Sequence, residues 1–403
     1  MISQKLSKAT KNMKSSLIRE LVASTRNIPD LISFAGGFPS PKTFPRETLS
    51  KLYADVVLNE GEQILQYGAS EGDPLLKEEL LKWEGYDLSP EQILITAGAT
   101  NAIFYMTSAL LDPGDVIICE APSFLGSLVA FDALGAELCG IPLDKEGISL
   151  TVLQDKVHEL QSAGKKVKFI YTIPDFHNPA GITMAYQRRK DLIEYALAMN
   201  IPILEDNPYS RLRYSGEAIP TLFRIAFEEY NNTEIVTEVV SFSKILGPGL
   251  RLAFVKGSKT LIERMCSWQQ KVNISPDNIS QRVVAHFLAE GYMEPHLQFI
   301  QDFYRPYLDK MLTAMSEHLP AYIQYSKPQG GIFTWLWLPQ DMSADLLFDT
   351  AKAHKVTFIP GSKFYPAGQE QNNCLRLNFS YSSLTQIDKG MQNLGKIMTD
   401  FYT

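Results

Sequence analysis

Short apolar runs alternate with longer amphipathic stretches between about residue 90 and residue 256. Short apolar runs are typical of buried strands, and apolar residues spaced three or four apart are typical of helices. Strands that alternate with helices predict a largely parallel sheet with helices on both faces. The predicted strands are residues 93–96, 116–119, 167–173, 201–204, 239–242 and 252–255, and the predicted helices are residues 101–111, 123–134 and 186–200.

The rest of the chain predicts a second, smaller lobe. Strand-like stretches lie at residues 31–34, 330–338 and 374–379, and helical stretches at residues 13–24 and 260–319. We therefore expect an α/β fold in two parts: a large domain over residues 51–290, and a smaller α+β domain that joins residues 1–50 with residues 291–403. Ligands of such sheets bind at the carboxyl ends of the strands, so the side chains at those ends carry the functional argument.

The composition disfavours several classes of function. The 403 residues carry a net charge of −7, whereas a protein that holds a nucleic-acid backbone needs a basic face. The four cysteines form no metal-binding pair, so we predict reduced thiols, no metal site and a cytoplasmic location. No apolar run reaches the roughly 18 residues that span a membrane, so we expect no membrane partner.

A lysine stands at the carboxyl end of a predicted strand, in the run Ser241-Phe242-Ser243-Lys244. Burying an ammonium group is costly, and burial together with nearby cations lowers the pKa of a lysine and makes its amine nucleophilic. The two serine hydroxyls and Arg251, seven residues further on, suit a phosphate group. The alternative is a surface lysine in a loop.

Two other predicted strands end in polar side chains. Asn178 precedes Pro179, which favours an extended chain and would fix the amide where it can donate to a ligand oxygen. Glu205 and Asp206 end an apolar strand, with Tyr209 close by, and a protonated ring nitrogen would keep a buried carboxylate there ionised. The alternatives are a proline-rich turn and a turn-capping aspartate beside a packed tyrosine.

A third junction runs from the predicted strand 93–96 through Gly98 into a predicted helix. The free backbone N–H groups at the start of a helix favour an anion. Dinucleotide-binding folds share this arrangement, so by itself it does not identify the ligand.

Taken together, these motifs resemble the fold type I pyridoxal-phosphate (PLP) enzymes, specifically the class I and II aminotransferases, over nearly the whole chain. Each motif is common, but their order along the chain is specific to that family. The stretch Ile18-Arg19-Glu20-Leu21, followed by Ser33-Phe34-Ala35-Gly36-Gly37, is similar to the 2-aminoadipate and kynurenine aminotransferase branch. The matching residues elsewhere are Gly98, Ala99, Thr100, Asn178, Pro179, Gly181, Asp206, Tyr209, Ser241, Ser243, Lys244, Arg251 and Arg376.

The resemblance implies catalytic and cofactor-binding roles. Lys244 would form the Schiff base with PLP and move the proton between the substrate's α-carbon and the cofactor. Asp206 would pair with the ring nitrogen, while Tyr209 and Asn178 would hydrogen-bond the ring's phenolic oxygen. Phe124 would stack on the ring, unless it is simply a core phenylalanine. The residues expected to hold the phosphate are Gly98, Ala99, Thr100, Ser241, Ser243 and Arg251, with Tyr67 reaching the phosphate of the neighbouring subunit of a homodimer.

Substrate binding is implied for Arg376, Asn178, Gly37 and Arg19. Arg376 would clamp the α-carboxylate with two parallel hydrogen bonds. Arg19 would pair with the second carboxylate of a dicarboxylic substrate, or else it is an exposed arginine paired with an acid such as Asp30. We therefore predict an aminotransferase that moves an amino group between an L-amino acid and a 2-oxo acid, with 2-oxoglutarate and glutamate as one pair.

Two residues depart from the family pattern. Ala99 stands where many relatives carry serine, so Thr100 would supply the only hydroxyl at that helix start. His177 stands where many relatives carry glutamine, and its imidazole either positions the neighbouring Asn178 or adds a pH-dependent contact.

The same site residues would also serve a PLP-dependent carbon–sulfur lyase or a decarboxylase, because reaction choice depends on which α-bond stands perpendicular to the ring. A ligand-sensing transcription regulator is the third alternative. We do not expect it, because only 32 residues precede Ser33 and the chain is acidic.

Overall fold

The computed structural model describes residues 2–7, 10 and 28–402. An eight-stranded sheet forms its centre, in the order β2-β9-β8-β7-β6-β3-β4-β5. The strands β8, β7, β6, β3 and β4 run parallel to one another, whereas β9 is antiparallel to both of its neighbours and β5 is antiparallel to β4. The bounds are β2 (Ile93–Thr96), β3 (Val116–Ala121), β4 (Glu137–Asp144), β5 (Gly147–Ile148), β6 (Val167–Thr172), β7 (Ile203–Asn207), β8 (Val236–Ser241) and β9 (Ala253–Lys256).

The central strands are buried on both faces. Every residue of β7 and of β8 is buried, as expected of a parallel sheet that helices cover on both sides. All six predicted strands are present, so the predicted α/β alternation is confirmed. The strand β4 was not predicted, because its sequence mixes polar and apolar residues and only one of its eight residues is fully buried.

Twelve α-helices lie in the described part of the chain, and the three predicted in the large part are among them. Helix boundaries follow ordinary capping chemistry: Asp73 accepts a hydrogen bond from the backbone N–H of Leu76 at 3.0 Å, and Gly85 ends the same helix in a left-handed conformation. The bounds are α1 (Arg46–Ile64), α2 (Pro74–Glu84), α3 (Ala99–Leu110), α4 (Leu125–Ala133), α5 (Leu150–Ser162), α6 (Tyr186–Met199), α7 (Leu222–Tyr230), α8 (Lys259–Val272), α9 (Asn278–Ala289), α10 (Met293–His318), α11 (Ala344–Ala353) and α12 (Leu384–Tyr402).

The C-terminal part contains a four-stranded antiparallel sheet in the order β10-β11-β14-β13. A two-stranded parallel sheet joins β1, near the N-terminus, to β12. This pairing places a segment near the N-terminus beside the C-terminal part, while the division into residues 51–290 and residues 1–50 with 291–403 stays a prediction. The predicted helix over residues 13–24, which includes Arg19, lies outside the described residues. The bounds are β1 (Ile32–Ser33), β10 (Gln324–Tyr325), β11 (Phe333–Trp337), β12 (Val356–Thr357), β13 (Ile359–Pro360) and β14 (Cys374–Asn378).

Among the described residues, no helix is both long enough and apolar enough to cross a membrane.

A buried group of charges ties α2 to the sheet. Lys256, at the end of β9, contacts Glu84 and lies 2.9 Å from the Glu238 carboxylate, and all three side chains are buried. Arg211 also pairs with Glu84, at 2.7 Å. Burial alone would raise the pKa of the Glu84 carboxyl, but the Lys256 and Arg211 cations lower that pKa to about 2. The Glu84 carboxylate can therefore stay ionised inside the protein only because the cations are there.

We predict that Lys256→Met destabilises the fold by about 3–5 kcal/mol, because it leaves buried carboxylates without their shared cation. The measurement is the urea midpoint of the cofactor-free protein. The matched control is Lys259→Met, since Lys259 pairs with Glu91 at 2.7 Å but both side chains are exposed. We expect no measurable change for the control. Equal midpoints for the two variants would contradict a stabilising role of the buried group.

Candidate active site

The loops that carry the predicted site residues leave from one edge of the sheet. The strands β6, β7 and β8 are adjacent and parallel, with Tyr171 opposite Leu204 and Asp206 opposite Val239. Their carboxyl ends therefore lie side by side, and the segments that bear Asn178, Tyr209 and Lys244 follow those ends. This is the edge at which ligands bind in open α/β sheets.

Lys244 ends a short 3-10 turn, Phe242–Lys244, that directly follows β8. The turn is held by Ser241, whose hydroxyl accepts a hydrogen bond from the backbone N–H of Ser243 at 3.2 Å. The Lys244 amine is partly buried and donates to the carbonyl of Gly37 at 2.8 Å. Burial, and then the cations of Arg376 and Arg251, lower the pKa of Lys244 to about 8. The amine is therefore partly neutral near pH 7.5, which a nucleophile requires.

Arg251 lies against the start of α3. Gly98, with φ of +90°, precedes this helix, and a Cβ atom placed on it would lie 2.5 Å from Nη2 of Arg251. Only glycine allows the guanidinium to come this close. The first backbone N–H groups of the helix, those of Ala99 and Thr100, have no acceptor within the helix. A cation and a helix N-terminus that meet in this way suit a doubly charged phosphate.

Asp206 is 4% exposed, and its Oδ2 accepts a hydrogen bond from the Tyr171 hydroxyl at 2.7 Å. Burial, and further away the charge of Glu120, raise the pKa of Asp206 to about 6, against the lowering effect of the Tyr171 hydrogen bond and of His177. A cation at this carboxylate would lower the pKa again. The adjacent acid, Glu205, instead accepts from the first backbone N–H groups of α7, at 3.0 and 2.9 Å.

Arg376 is 2% exposed, on β14, and its guanidinium lies on the rings of Phe333 and Phe364, 4.1 and 4.9 Å from the ring centroids. Its two terminal nitrogens donate to neutral acceptors: the Asn178 side-chain oxygen and the Ala35 carbonyl, both at 2.9 Å. Its Nε has no hydrogen-bond partner in the described part of the chain. Burial lowers the pKa of Arg376 to about 10. A buried cation held this way is suited to bind a carboxylate.

Asn178 links this arginine to Tyr209. Its side-chain oxygen is engaged by Arg376, and its side chain also hydrogen-bonds the buried Tyr209 hydroxyl. Asn178 and Tyr209 come from different strand ends, so the structure brings together residues that the sequence separates by 31 positions. The amide group is thereby fixed in orientation, with its oxygen toward the arginine and its nitrogen available as a donor.

The loop that carries Asn178 is anchored by an ion pair that the sequence analysis missed. Arg189, on α6, is completely buried and contacts both carboxylate oxygens of Asp175, at 2.9 and 3.0 Å. It also donates to the backbone carbonyls of Pro174 and Met184, on either side of the loop. The sequence signal is only an aspartate next to a proline and an arginine 14 residues later, which is too common to interpret.

His177 packs beneath the same loop. Its Nδ1 accepts from the backbone N–H of Ala180 at 3.2 Å, and its Nε2 lies 3.0 Å from Glu120. Both ring nitrogens therefore face partners inside the protein, and the side chain is 1% exposed. Of the two roles considered for His177, these contacts favour the positioning of Asn178.

The remaining predicted residues lie around this centre. Phe124 is half-buried and directly precedes α4. Gly37 supplies the carbonyl that accepts from Lys244. Tyr67, which follows α1, is 80% exposed in the single chain. Arg19 lies outside the described residues.

The sequence profile described as "Aminotransferase class I and II" matches residues 31–394. The chain belongs to the class I and II aminotransferases. It is 37% identical, over 96% of its length and 92% of the relative's, to aromatic-amino-acid aminotransferase 1 of Thermococcus litoralis. The protein is therefore an enzyme that transfers amino groups, and PLP is its cofactor.

Two solved structures share its fold. The crystal structure of kynurenine aminotransferase from Pyrococcus horikoshii has a TM-score of 0.95 and 35% identity, and the match covers 100% of this chain and 98% of that one. The α-aminoadipate aminotransferase of Thermus thermophilus, in complex with N-(5′-phosphopyridoxyl)-L-leucine, has a TM-score of 0.91 and 30% identity, with 100% and 99% covered. The predicted membership in the aminotransferases related to the aminoadipate and kynurenine branch is thus confirmed.

The residues of this site fit PLP at each of its charged ends. Arg251 and the α3 start suit the phosphate, the buried Asp206 suits a protonated ring nitrogen, and Lys244 has an amine of lowered pKa.

We predict that the Lys244 amine of the cofactor-free enzyme titrates near pH 8, so that its reactivity rises between pH 7 and 9 as the neutral form replaces the charged one. The measurement is competitive acetylation with acetic anhydride, with the exposed Lys51 in the same digest as reference. Arg376→Gln should move the midpoint upward, because a cation that disfavours the charged amine has been removed. A midpoint near pH 10.5, the ordinary value, would contradict the lowered pKa.

Proposed function

We propose that the enzyme moves an amino group between an L-amino acid and a 2-oxo acid, with glutamate and 2-oxoglutarate as one pair, and that Lys244 carries PLP as a Schiff base. The observation that supports this most directly is the segment from Ala35 to Gly37. Its carbonyls accept from Arg376 at 2.9 Å and from Lys244 at 2.8 Å, so the carboxylate-binding cation and the reactive amine flank one short stretch of backbone. An α-amino acid whose carboxylate binds Arg376 would therefore bring its α-carbon close to Lys244.

The site residues divide the work between cofactor and substrate. Bound PLP supplies a ring that accepts the electrons released when the substrate loses its α-proton. Asp206 would keep the ring nitrogen protonated, and Lys244 would take up the proton that leaves the α-carbon. Tyr209 and Asn178 would donate hydrogen bonds to the phenolic oxygen, and Phe124 would stack on the ring. The phosphate would be held by Gly98, Ala99, Thr100, Ser241, Ser243 and Arg251.

Three residues bear on the substrate. Arg376 and Asn178 bind and orient the α-carboxylate, which excludes substrates that lack one. Gly37 is proposed to line the substrate site, and a Cβ atom at this position would lie 3.4 Å from the ring of Phe333. Arg19 is proposed to pair with the second carboxylate of glutamate and its oxo acid.

We also propose that the enzyme accepts aromatic amino acids as amino donors, which a pair of aromatic rings near Gly37 supports. Phe38 follows Gly37 and lies edge to face with Tyr381, with ring centroids 6.5 Å apart, and both side chains are more than half exposed. The Ser380 hydroxyl holds this loop by donating to the Phe38 carbonyl at 2.8 Å. Two aromatic rings beside the carboxylate site would contact an aromatic substrate side chain.

The proposed pair of substrates is tested by mixing the PLP-loaded enzyme with 2-oxoglutarate and a panel of L-amino acids, and following glutamate. We expect glutamate from aromatic amino acids and 2-aminoadipate. Arg376→Gln should lower kcat/KM roughly 100-fold for every donor, because each loses the same charged hydrogen bonds.

Lys244→Ala is the control: it should form no glutamate while it retains some PLP through the phosphate and ring contacts. Borohydride reduction of the wild type should place the pyridoxyl group on Lys244. A label on another lysine, or no glutamate from any donor, would reject the proposal.

The enzyme is also proposed to be a cytoplasmic homodimer with shared active sites. Apolar and aromatic side chains remain uncovered around Tyr67: Leu65 is 67% exposed, Ile274 51% and Val272 55%. The Asn278 side chain joins the two segments by donating to the carbonyl of Gln66 at 2.6 Å. Exposed apolar side chains of this kind are typical of an interface between subunits.

We predict that a mixture of Tyr67→Ala and Lys244→Ala chains recovers activity that neither variant has alone. A hybrid dimer contains one site with both residues intact. Random mixing makes half of the dimers hybrids, so recovery should approach about one quarter of wild-type activity. The measurement is glutamate formation after co-refolding of equal amounts. A fully active monomer in sedimentation, or no recovery although hybrids form, would contradict shared sites.

A further inference from the structure

We infer that Tyr171 is a positioning residue for the ring nitrogen of PLP, that it acts through Asp206, and that Ser127 orients its hydroxyl. The inference rests on the proposed pairing of Asp206 with that nitrogen. Its basis is a chain of two hydrogen bonds: Ser127 donates to the Tyr171 oxygen at 2.8 Å, and Tyr171 donates to Oδ2 of Asp206 at 2.7 Å.

Strand register places Tyr171 and Asp206 on the same face of the sheet. Tyr171 lies opposite Leu204, and Asp206 stands two residues after Leu204, so the alternation of side chains along a strand directs both to one side. The tyrosine ring is completely buried and packs edge to face on Phe131, with centroids 5.2 Å apart. Its hydroxyl therefore has a fixed position relative to the carboxylate.

The chain has a defined direction. A phenol has one proton to donate, and an ionised carboxylate can only accept, so the proton between Tyr171 and Asp206 belongs to the tyrosine. The Tyr171 oxygen is then free to accept from Ser127, which is 2% exposed on α4. With Oδ2 engaged, the ring nitrogen is left with Oδ1, which has no hydrogen bond from any described residue. The Tyr171 hydroxyl thus leaves Oδ1 of Asp206 as the oxygen that binds the ring nitrogen.

A neutral hydrogen-bond donor to Oδ2 of Asp206 suits the proposed role of this carboxylate better than a cation would. A lysine or arginine at the same position would neutralise Asp206 and compete with the ring nitrogen for it. A phenol keeps the full negative charge available while it works against the rise in the pKa of Asp206 that burial causes. Glu120 and His177 influence the same carboxylate only through their charges, and no hydrogen bond joins either of them to it.

The test compares two cofactors: PLP and its 1-deaza analogue, in which the ring nitrogen is replaced by a C–H group. The analogue keeps the aldehyde, the phenolic oxygen and the phosphate. The measurement is the dissociation constant of each for the cofactor-free enzyme, and the preference is their ratio. We expect the wild type to prefer PLP and Asp206→Ala to lose the preference. Tyr171→Phe should reduce it about tenfold, the effect of one hydrogen bond to a charged group, and change the affinity for the analogue less than twofold.

Two further variants complete the design. Ser127→Ala should reduce the preference in the same direction but less, and should add little to Tyr171→Phe, because it acts through the same hydroxyl. The control is Tyr105→Phe, which removes another buried hydroxyl, one that donates to Asn273 at 3.2 Å. It should leave the preference unchanged.

The outcomes separate the inference from the proposed function. If wild type prefers PLP and Asp206→Ala does not, while Tyr171→Phe keeps the full preference, the inference is wrong and the role of Asp206 stands. An equal loss of affinity for PLP and for the analogue in Tyr171→Phe would also reject the inference, since it indicates that Tyr171 has only a structural role. Should Tyr171→Phe not fold, an unchanged preference in Ser127→Ala would reject the chain. No preference in the wild type would reject the role of Asp206 and the inference together.

Discussion

Parallel pairing of β6, β7 and β8 is the constraint on which the site depends. Hydrogen bonds between the strands fix Tyr171 against Leu204 and Asp206 against Val239, so the three carboxyl ends cannot shift independently. A slip of one residue in β7 would turn Asp206 away and present Glu205 in its place. That exchange is opposed because Glu205 already accepts from the first N–H groups of α7, while Asp206 accepts from Tyr171.

The second part of the chain reaches this edge through Arg376 and the segment around Gly37. Arg376 comes from the antiparallel sheet, yet it donates to Asn178, which follows β6 of the central sheet. The Lys244 amine donates to Gly37, which follows β1. Two hydrogen bonds thus join separate parts of the fold, one made by Arg376 and one made by Lys244. A substrate that displaced either bond would change how the two parts contact each other, which couples binding to the geometry of the site.

The sequence predicts those features that depend on local patterns. Apolar runs mark the central strands because a buried parallel strand is apolar throughout, and the polar residues at their ends, such as Lys244 and Asp206, stand out for the same reason. The sequence of β4 mixes polar and apolar residues, so it does not predict the strand that forms there. The Arg189–Asp175 pair and the Tyr171–Asp206 hydrogen bond could not be predicted, because each depends on a contact between elements whose register and orientation only the folded chain defines. Tyr171 itself lies in a predicted strand, where an aromatic side chain indicates only core packing.

Burial shifts the pKa of three ionisable groups in the site, because the protein alone does little to stabilise their charged forms. Burial lowers the pKa of Lys244 to about 8 and that of Arg376 to about 10, and it raises the pKa of Asp206 to about 6. The shifts at Arg376 and Asp206 would be reversed by ligand groups of opposite charge: a carboxylate at Arg376 and a protonated ring nitrogen at Asp206. Lys244 differs, because a covalent bond to the cofactor removes its ordinary ammonium. The buried Lys256, by contrast, is already paired with carboxylates. Arg376 and Asp206 have no ion-pair partner among the described residues, so the proposed binding of substrate and cofactor should stabilise the fold as well as prepare the reaction.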